Sequence, residues 1–221
     1  MIKKLLLIPV LAVLLLAGSA HAQTEELPDP GTLPGNPFYY FKLAAEQVGT
    51  LFTFGDLSKA ERFQALAEKR LAEAQALSEE GDEERATNAA ERYGAMLARI
   101  EERTQKAKED GKDVEGLLER MAERSLKHQA VLARVFDKAP EAARPALERV
   151  MGMSAQKHEA AVQAISGERA ETIRARLQEE REERRPEFSR LKERGVPVRE
   201  IKDKEDDMIE DDTDEMMDDE S

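Results

Sequence analysis

From residue 37 to about residue 194, apolar side chains recur three and four positions apart, the period of helices that bury one face. The first run, about 37–50, places Phe38, Phe41, Ala45 and Val48 on one side. Asn36 caps it, and Pro37 fills a first-turn position where a missing N–H is harmless. Leu51, Phe52 and Phe54 follow before Gly55-Asp56 breaks the pattern. A second helix is predicted to open on a capping box, Ser58 to Glu61, and to carry Phe63, Leu66, Ala67, Leu71, Ala74 and Leu77. Gly81 closes it and Asp82 caps a third helix, which runs to about Asp110 on Ala86, Ala89, Tyr93, Leu97, Ile100 and Thr104.

The fourth helix is expected to run unbroken from near Asp113 to Ala139-Pro140, with Val114, Leu117, Leu118, Met121, Ser125, Leu132, Val135 and Phe136 in its stripe. The fifth covers about 141–165 on Leu147, Val150, Met151, Ala161, Val162 and Ile165, with Pro145 near its start. A sixth, about 168–194, is far more polar: between Arg176 and Arg194 its apolar residues are Leu177, Phe188 and Leu191. Such a helix projects from the body or pairs along one narrow seam, and Pro186 should kink or end it. Links this short favour antiparallel neighbours. The expected fold is all-α: an elongated antiparallel helical bundle of long, coiled-coil-like helices. It carries a short aromatic N-terminal helix, a projecting polar C-terminal helix and a disordered acidic tail.

Composition agrees. Charged residues make up 37% of the 221 and aromatics 5%, with no Trp and no Cys, which suits solvent-bathed helices and leaves too little β-branched and aromatic mass for a sheet core. Without Cys there are no disulfides, thiolate metal sites or thiol nucleophiles. The first residues read as a targeting signal: Lys3 and Lys4, then the 13 apolar residues Leu5 to Ala17, then Ala20-His21-Ala22. Cleavage is expected after Ala22; a run this short spans a bilayer poorly. The expected divisions are thus a signal at 1–22, a Pro/Gly-rich linker at 23–36, a helical domain at 37–166, a charged helix at 167–195 and an acidic tail at 196–221. Residues 202–221 hold 12 acidic and two basic residues, most of the net charge of −13. They are too acidic to collapse, and the nearly balanced body offers no basic surface for nucleic acid.

Chemistry is sparse. The bundle di-iron motif Glu-x-x-His is missing, because Ser125 precedes His128 and Ala155 precedes His158 at that spacing. Counted from the Ala139-Pro140 turn, a regular hairpin would leave His128 and His158 about 12 Å apart along the axis, each bonding locally rather than sharing a metal. No nucleophile elbow, Walker loop or dinucleotide fingerprint occurs. The tail's carboxylates lack the glycine of a calcium loop. Neither a catalytic residue, a metal ligand nor a cofactor is implied.

The most distinctive local feature is a cluster of aromatics. Six of the ten lie within 38–54: Phe38, Tyr39, Tyr40, Phe41, Phe52 and Phe54. They form either a lid across the bundle end or an interaction surface for an apolar client or membrane interface.

The opening Leu33-Pro34-Gly35-Asn36-Pro37-Phe38-Tyr39-Tyr40-Phe41-Lys42, with Leu51-Phe52-Thr53-Phe54, resembles the start of the exported helical family classed as domain of unknown function 5667. Lys59, Arg62 and Leu66 to Glu73 are similar to its second helix. Lys127-His128, Lys138-Ala139-Pro140, Pro145-Ala146-Leu147 and His158 to Ala161 are similar to its later hairpin. The resemblance covers about 33–166. It implies an exported helical bundle of bacteria or archaea, and it implies no activity.

The sequence therefore points to an exported structural or interaction protein of the cell envelope: secreted, periplasmic or on the cell surface. An extracytoplasmic, ATP-independent chaperone-like binder of apolar segments is the alternative, and a weakly metal- or pH-responsive protein a third reading. The protein partner stays open. Membrane contact is expected only through the N-terminal segment, if that segment stays attached.

Overall fold

The computed structural model describes residues 27–198. The expected cleavage at Ala22 and the expected acidic tail beyond residue 198 lie outside them, whereas Val196, placed in that tail, is buried against the core. Among the described residues there are seven α-helices and one 3-10 turn: α1 Tyr39–Leu51, α2 Asp56–Glu79, α3 Glu83–Glu109, α4 Glu115–Glu123, α5 Ser125–Lys138, the 3-10 turn Glu141–Ala143, α6 Arg144–Ala164 and α7 Gly167–Glu193. No strand occurs among them, so the chain is all-α.

The helix ends follow local chemistry. α2 stops in a Schellman motif: Gly81 takes a left-handed φ of 81°, and Asp82 N–H donates 2.9 Å to Leu77 O across it. Asp82 then turns to its second task, its carboxylate accepting 3.1 Å from Arg85 N–H at the start of α3. The predicted Ser58 capping box does not form. Gly55, at φ 84°, allows the chain to enter the helix two residues earlier, at Asp56, with no side-chain cap. Asp56 pairs instead with Arg103 of α3 at 2.8 Å.

α2 and α3 form the most extensive helix pair, α6 packs on α3, α4 and α5, and α5 also packs on α2. Leu71, Leu77, Ile100, Leu117, Leu126, Leu132 and Leu147 are fully buried between them.

Three expectations need correction. The predicted single fourth helix is broken at Arg124, whose φ/ψ of −92°/0° separates α4 from α5. No Gly or Pro marks the place, and the two segments pack differently: both lie on α6, α5 packs closely on α2, and α4 meets α2 through the Arg120–Glu61 pair at 2.7 Å. The polar C-terminal helix does not project but takes the other arrangement its pattern left open. It lies along a narrow seam on α4, α5 and α6, burying Ala170, Ile173, Leu177, Phe188 and Leu191. Pro186 sits inside that helix without ending it. Finally, the segment before α1 is stitched down: Leu27 and Leu33 pack on the core, and Lys42 Nζ donates to the carbonyls of Pro30 and of Thr32, the latter at 3.1 Å.

Candidate interaction surface and a buried histidine pair

α1 is amphipathic in the reverse sense: its polar side faces the bundle. Tyr39, Lys42, Glu46 and Thr50 recur three and four apart and meet a ladder of partners on α2 and α3. Glu73 of α2, fully buried, is the hub. It accepts from Tyr39 Oη at 2.9 Å, from Lys42 Nζ at 2.5 Å and from Arg70. Arg70 also pairs with Glu46, and Arg92 of α3 donates to Tyr39 Oη at 2.8 Å. Burial and the Glu73 carboxylate push the Tyr39 hydroxyl up to about 12. One turn on, Arg62 donates to Glu46 O and Thr50 Oγ1, each at 3.1 Å. Its guanidinium crosses so close to Gly49 that a Cβ there would lie 2.2 Å from it. Charge-assisted bonds in a dry site are strong and directional, so α1 is held at a fixed orientation.

The consequence is on the opposite side. Phe38, Tyr40, Phe41, Val48, Leu51, Phe52 and Phe54 are 51–78% exposed. Large apolar side chains so grouped make this face a candidate interaction site. Five of the six predicted surface residues therefore point outward. Tyr39 does not: at 4% exposure it belongs to the clamp. The aromatics do not form a lid, because the helix turns its polar side to the bundle.

The clamp itself escaped the sequence reading, which passed over Arg70 and Glu73 as ordinary charges. Their position was the available signal: both lie within the apolar stripe of α2, beside Leu66, Ala67, Leu71 and Ala74. Under the first turn of α1 lies a cavity of about 400 Å³ lined by Pro34, Asn36, Tyr40, Arg85, Asn88 and Arg92, among others.

A second polar group sits in the core. His128 of α5 and His158 of α6 stack at 5.4 Å between ring centroids. Tyr93 of α3 joins them, with its hydroxyl hydrogen-bonded to His128 Nδ1 at 3.1 Å and Ser154 Oγ at 3.0 Å. This overturns the expected 12 Å offset. The 3-10 turn takes up residues 141–143 without advancing α6, so His128 and His158 lie ten and 14 residues from their facing helix ends, a mismatch of only about 6 Å at helical rise. Among the described residues, His128 Nε2, His158 Nδ1, Ser125 Oγ and the Gln129 amide have no hydrogen-bond partner. Burial, reinforced for His128 by His158, Arg124 and Lys127, holds both imidazoles below their ordinary proton affinity, His158 at about 4. Both rings are neutral at pH 7. Among the described residues, no three His, Cys, Asp or Glu side chains converge as a metal site requires.

Residues 31–142, half of the chain, match the family model described as Domain of unknown function (DUF5667). The match takes in the opening motif, α1 to α5 and the Pro140 turn, and stops before α6. No curated protein and no solved structure matches the chain.

Proposed function

The chain belongs to the DUF5667 family, whose description carries no activity, and from the geometry we propose that it is an exported, non-catalytic interaction protein of the cell envelope whose working surface is the outward face of α1. One observation carries this reading: seven large apolar side chains stand exposed on α1 and the residues flanking it, and buried ion pairs hold that helix in place. A helix merely awaiting collapse onto its own bundle would turn that face inward. Here the polar clamp prevents it, and the aromatic side chains supply the large, rigid contact area that dominates interface cores. Export is supported by the charged, apolar and small-residue pattern of residues 3–22.

A second reading has its own support. The face bears no Asp, Glu, Lys, Arg or His to select a particular partner by charge, and that favours an ATP-independent chaperone-like binder of apolar segments in general. One assay separates the two. Residues 23–221 are purified and tested for suppression of aggregation of a reduced, unfolding client, beside Phe38→Ser/Phe41→Ser. Suppression that falls in the double variant, with helical content unchanged, selects the chaperone. No suppression at several-fold excess selects a dedicated partner. The interaction reading itself is tested by an apolar fluorescent dye. If the parent and the double variant bind the dye equally, α1 is not the working surface.

A further inference from the structure

The outward face of α1 has a pattern of its own. Phe38, Tyr40 and Phe41 crowd one end, Leu51, Phe52 and Phe54 the other, and the exposed Ala44, Ala45 and Val48 lie between. Ala45 is the midpoint of Phe38 and Phe52, which are about 21 Å apart at helical rise. Two such helices laid antiparallel across one another place the bulky end of each beside the bulky end of the other. Their small residues meet where the axes cross and the backbones must approach. The face is thus complementary to itself under a twofold rotation, as an isologous interface requires.

Resting on the reading of α1 as the working surface, we propose that its occupant is the same face of a second copy, about a twofold axis passing near Ala45. Area supports this. At 51–78% exposure, the seven side chains offer roughly 800 Å² per copy, taking about 150–250 Å² for a large side chain; two copies reach about 1,600 Å², the size of a standard stable interface. Charge supports it too. Along the helix the outward face carries no Asp, Glu, Lys, Arg or His, so like charges do not oppose the approach, and most of the chain's net negative charge belongs to residues 202–221. A lipid surface is less well matched. Interfacial helices flank their apolar side with free cations, whereas Lys42 is engaged by Glu73 and Arg62 by the carbonyl of Glu46.

The test takes the chain as the expressing cell processes it. Sedimentation equilibrium at about 50 µM, well above the dissociation constants usual for an interface of this size, should give twice the mass of the processed chain, as read by mass spectrometry. Phe41→Ser/Phe52→Ser should give the single mass with unchanged circular dichroism. The chain has no Cys, so Ala45→Cys can be oxidised alone. Proximity to the axis should make its interchain disulfide form at least about tenfold faster than that of Gln105→Cys, an exposed α3 position, through the raised effective concentration. This arm does not depend on the double variant folding.

A single mass for the parent overturns the second copy, as does a dimer that survives the double variant or Ala45→Cys reacting no faster than Gln105→Cys. If the parent is monomeric yet floats with phosphatidylcholine–phosphatidylglycerol vesicles and the double variant does not, the occupant is lipid. The docking face then stands without its twin. If the parent is monomeric and binds neither vesicles nor dye more than the variant does, both readings fall together.

Discussion

The rings of His128 and His158 lie 5.4 Å apart and inclined by 50°, in a part of the core where neither side chain is more than 5% exposed. They come from α5 and α6, the two arms of one hairpin, and Tyr93 of α3 bonds His128 from a third helix. Protonating either ring would put a charge beside its neighbour with no carboxylate against it. Arg124 and Lys127 on α5 add further positive charge.

Stability should therefore fall with acid. In the unfolded chain both rings take up protons near pH 6.5. In the folded chain His158 resists until about 4 and His128 to well below its usual value. Between those limits the unfolded state binds more protons, so this contribution is fully present above pH 6.5 and is lost as pH falls toward 4. His158 alone accounts for about 3 kcal/mol at the acid end, at roughly 1.4 kcal/mol per unit of pKa difference. Urea midpoints at pH 7.5 and 4.5 measure the slope, and His158→Leu should flatten it. An unchanged slope in that variant would place the acid sensitivity elsewhere.

Tyr93→Phe is expected to cost 1–3 kcal/mol at neutral pH, the usual penalty for leaving buried polar groups unpaired. The hydroxyl bonds both His128 Nδ1 and Ser154 Oγ, and Tyr93 is fully buried. The ring stays and so does its packing, which makes the loss a measure of the hydrogen bonds. Chemical denaturation at pH 7.5 reads it directly.

Much of the bundle was legible because helix signals are local. Gly81, Asp82 and the spacing of Leu66, Leu71 and Leu77 each act within one or two turns. What escaped was set across the chain. The break at Arg124 separates two segments that pack differently, and no Gly or Pro marks it. The His128–His158 contact depends on how three residues of turn are wound, a detail that composition does not encode. The orientation of α1 was the largest gap. Its period revealed two faces but not which one is inward, because apolar residues are expected inside and the buried Arg70–Glu73 pair that reverses the choice sits 24 to 34 residues from the α1 side chains it holds.

That pair offers a sharp test. Glu73→Ala leaves Arg70 and Lys42 without their shared carboxylate in a buried site, and breaking one side of such a pair costs about 3–5 kcal/mol. The loss should be uneven. Hydrogen exchange in α1 should speed up more than in α3 or α5, because α1 hangs on the clamp whereas those helices pack through Leu97, Ile100 and Leu132. Tyr39→Phe, which removes one bond and keeps the charges, should shift α1 exchange in the same direction by less. Uniform acceleration in all helices would mean that Glu73 supports the core generally and not the docking helix.

Pro186 lies exposed within α7, between turns that bury Leu177 on one side and Phe188 and Leu191 on the other. The helix continues because those side chains are held in the seam on α4 and α5, aided by ion pairs such as Arg176 to Glu123 at 2.7 Å and Arg134 to Glu187 at 2.5 Å. Packing thus overrides an intrinsic penalty of about 3 kcal/mol for proline in a helix interior. Replacing it should release part of that penalty. Pro186→Ala restores an N–H donor to the fourth residue back and touches no buried contact, so the protein should gain about 1–3 kcal/mol, seen as a higher urea midpoint with the same m-value. A neutral or negative result would show that α7 is built around the proline, its bend being what aligns Phe188 and Leu191 with the seam. Phe188→Ala, which empties a buried site of about 3 kcal/mol or more, should then cost less in the Pro186→Ala background than in the parent.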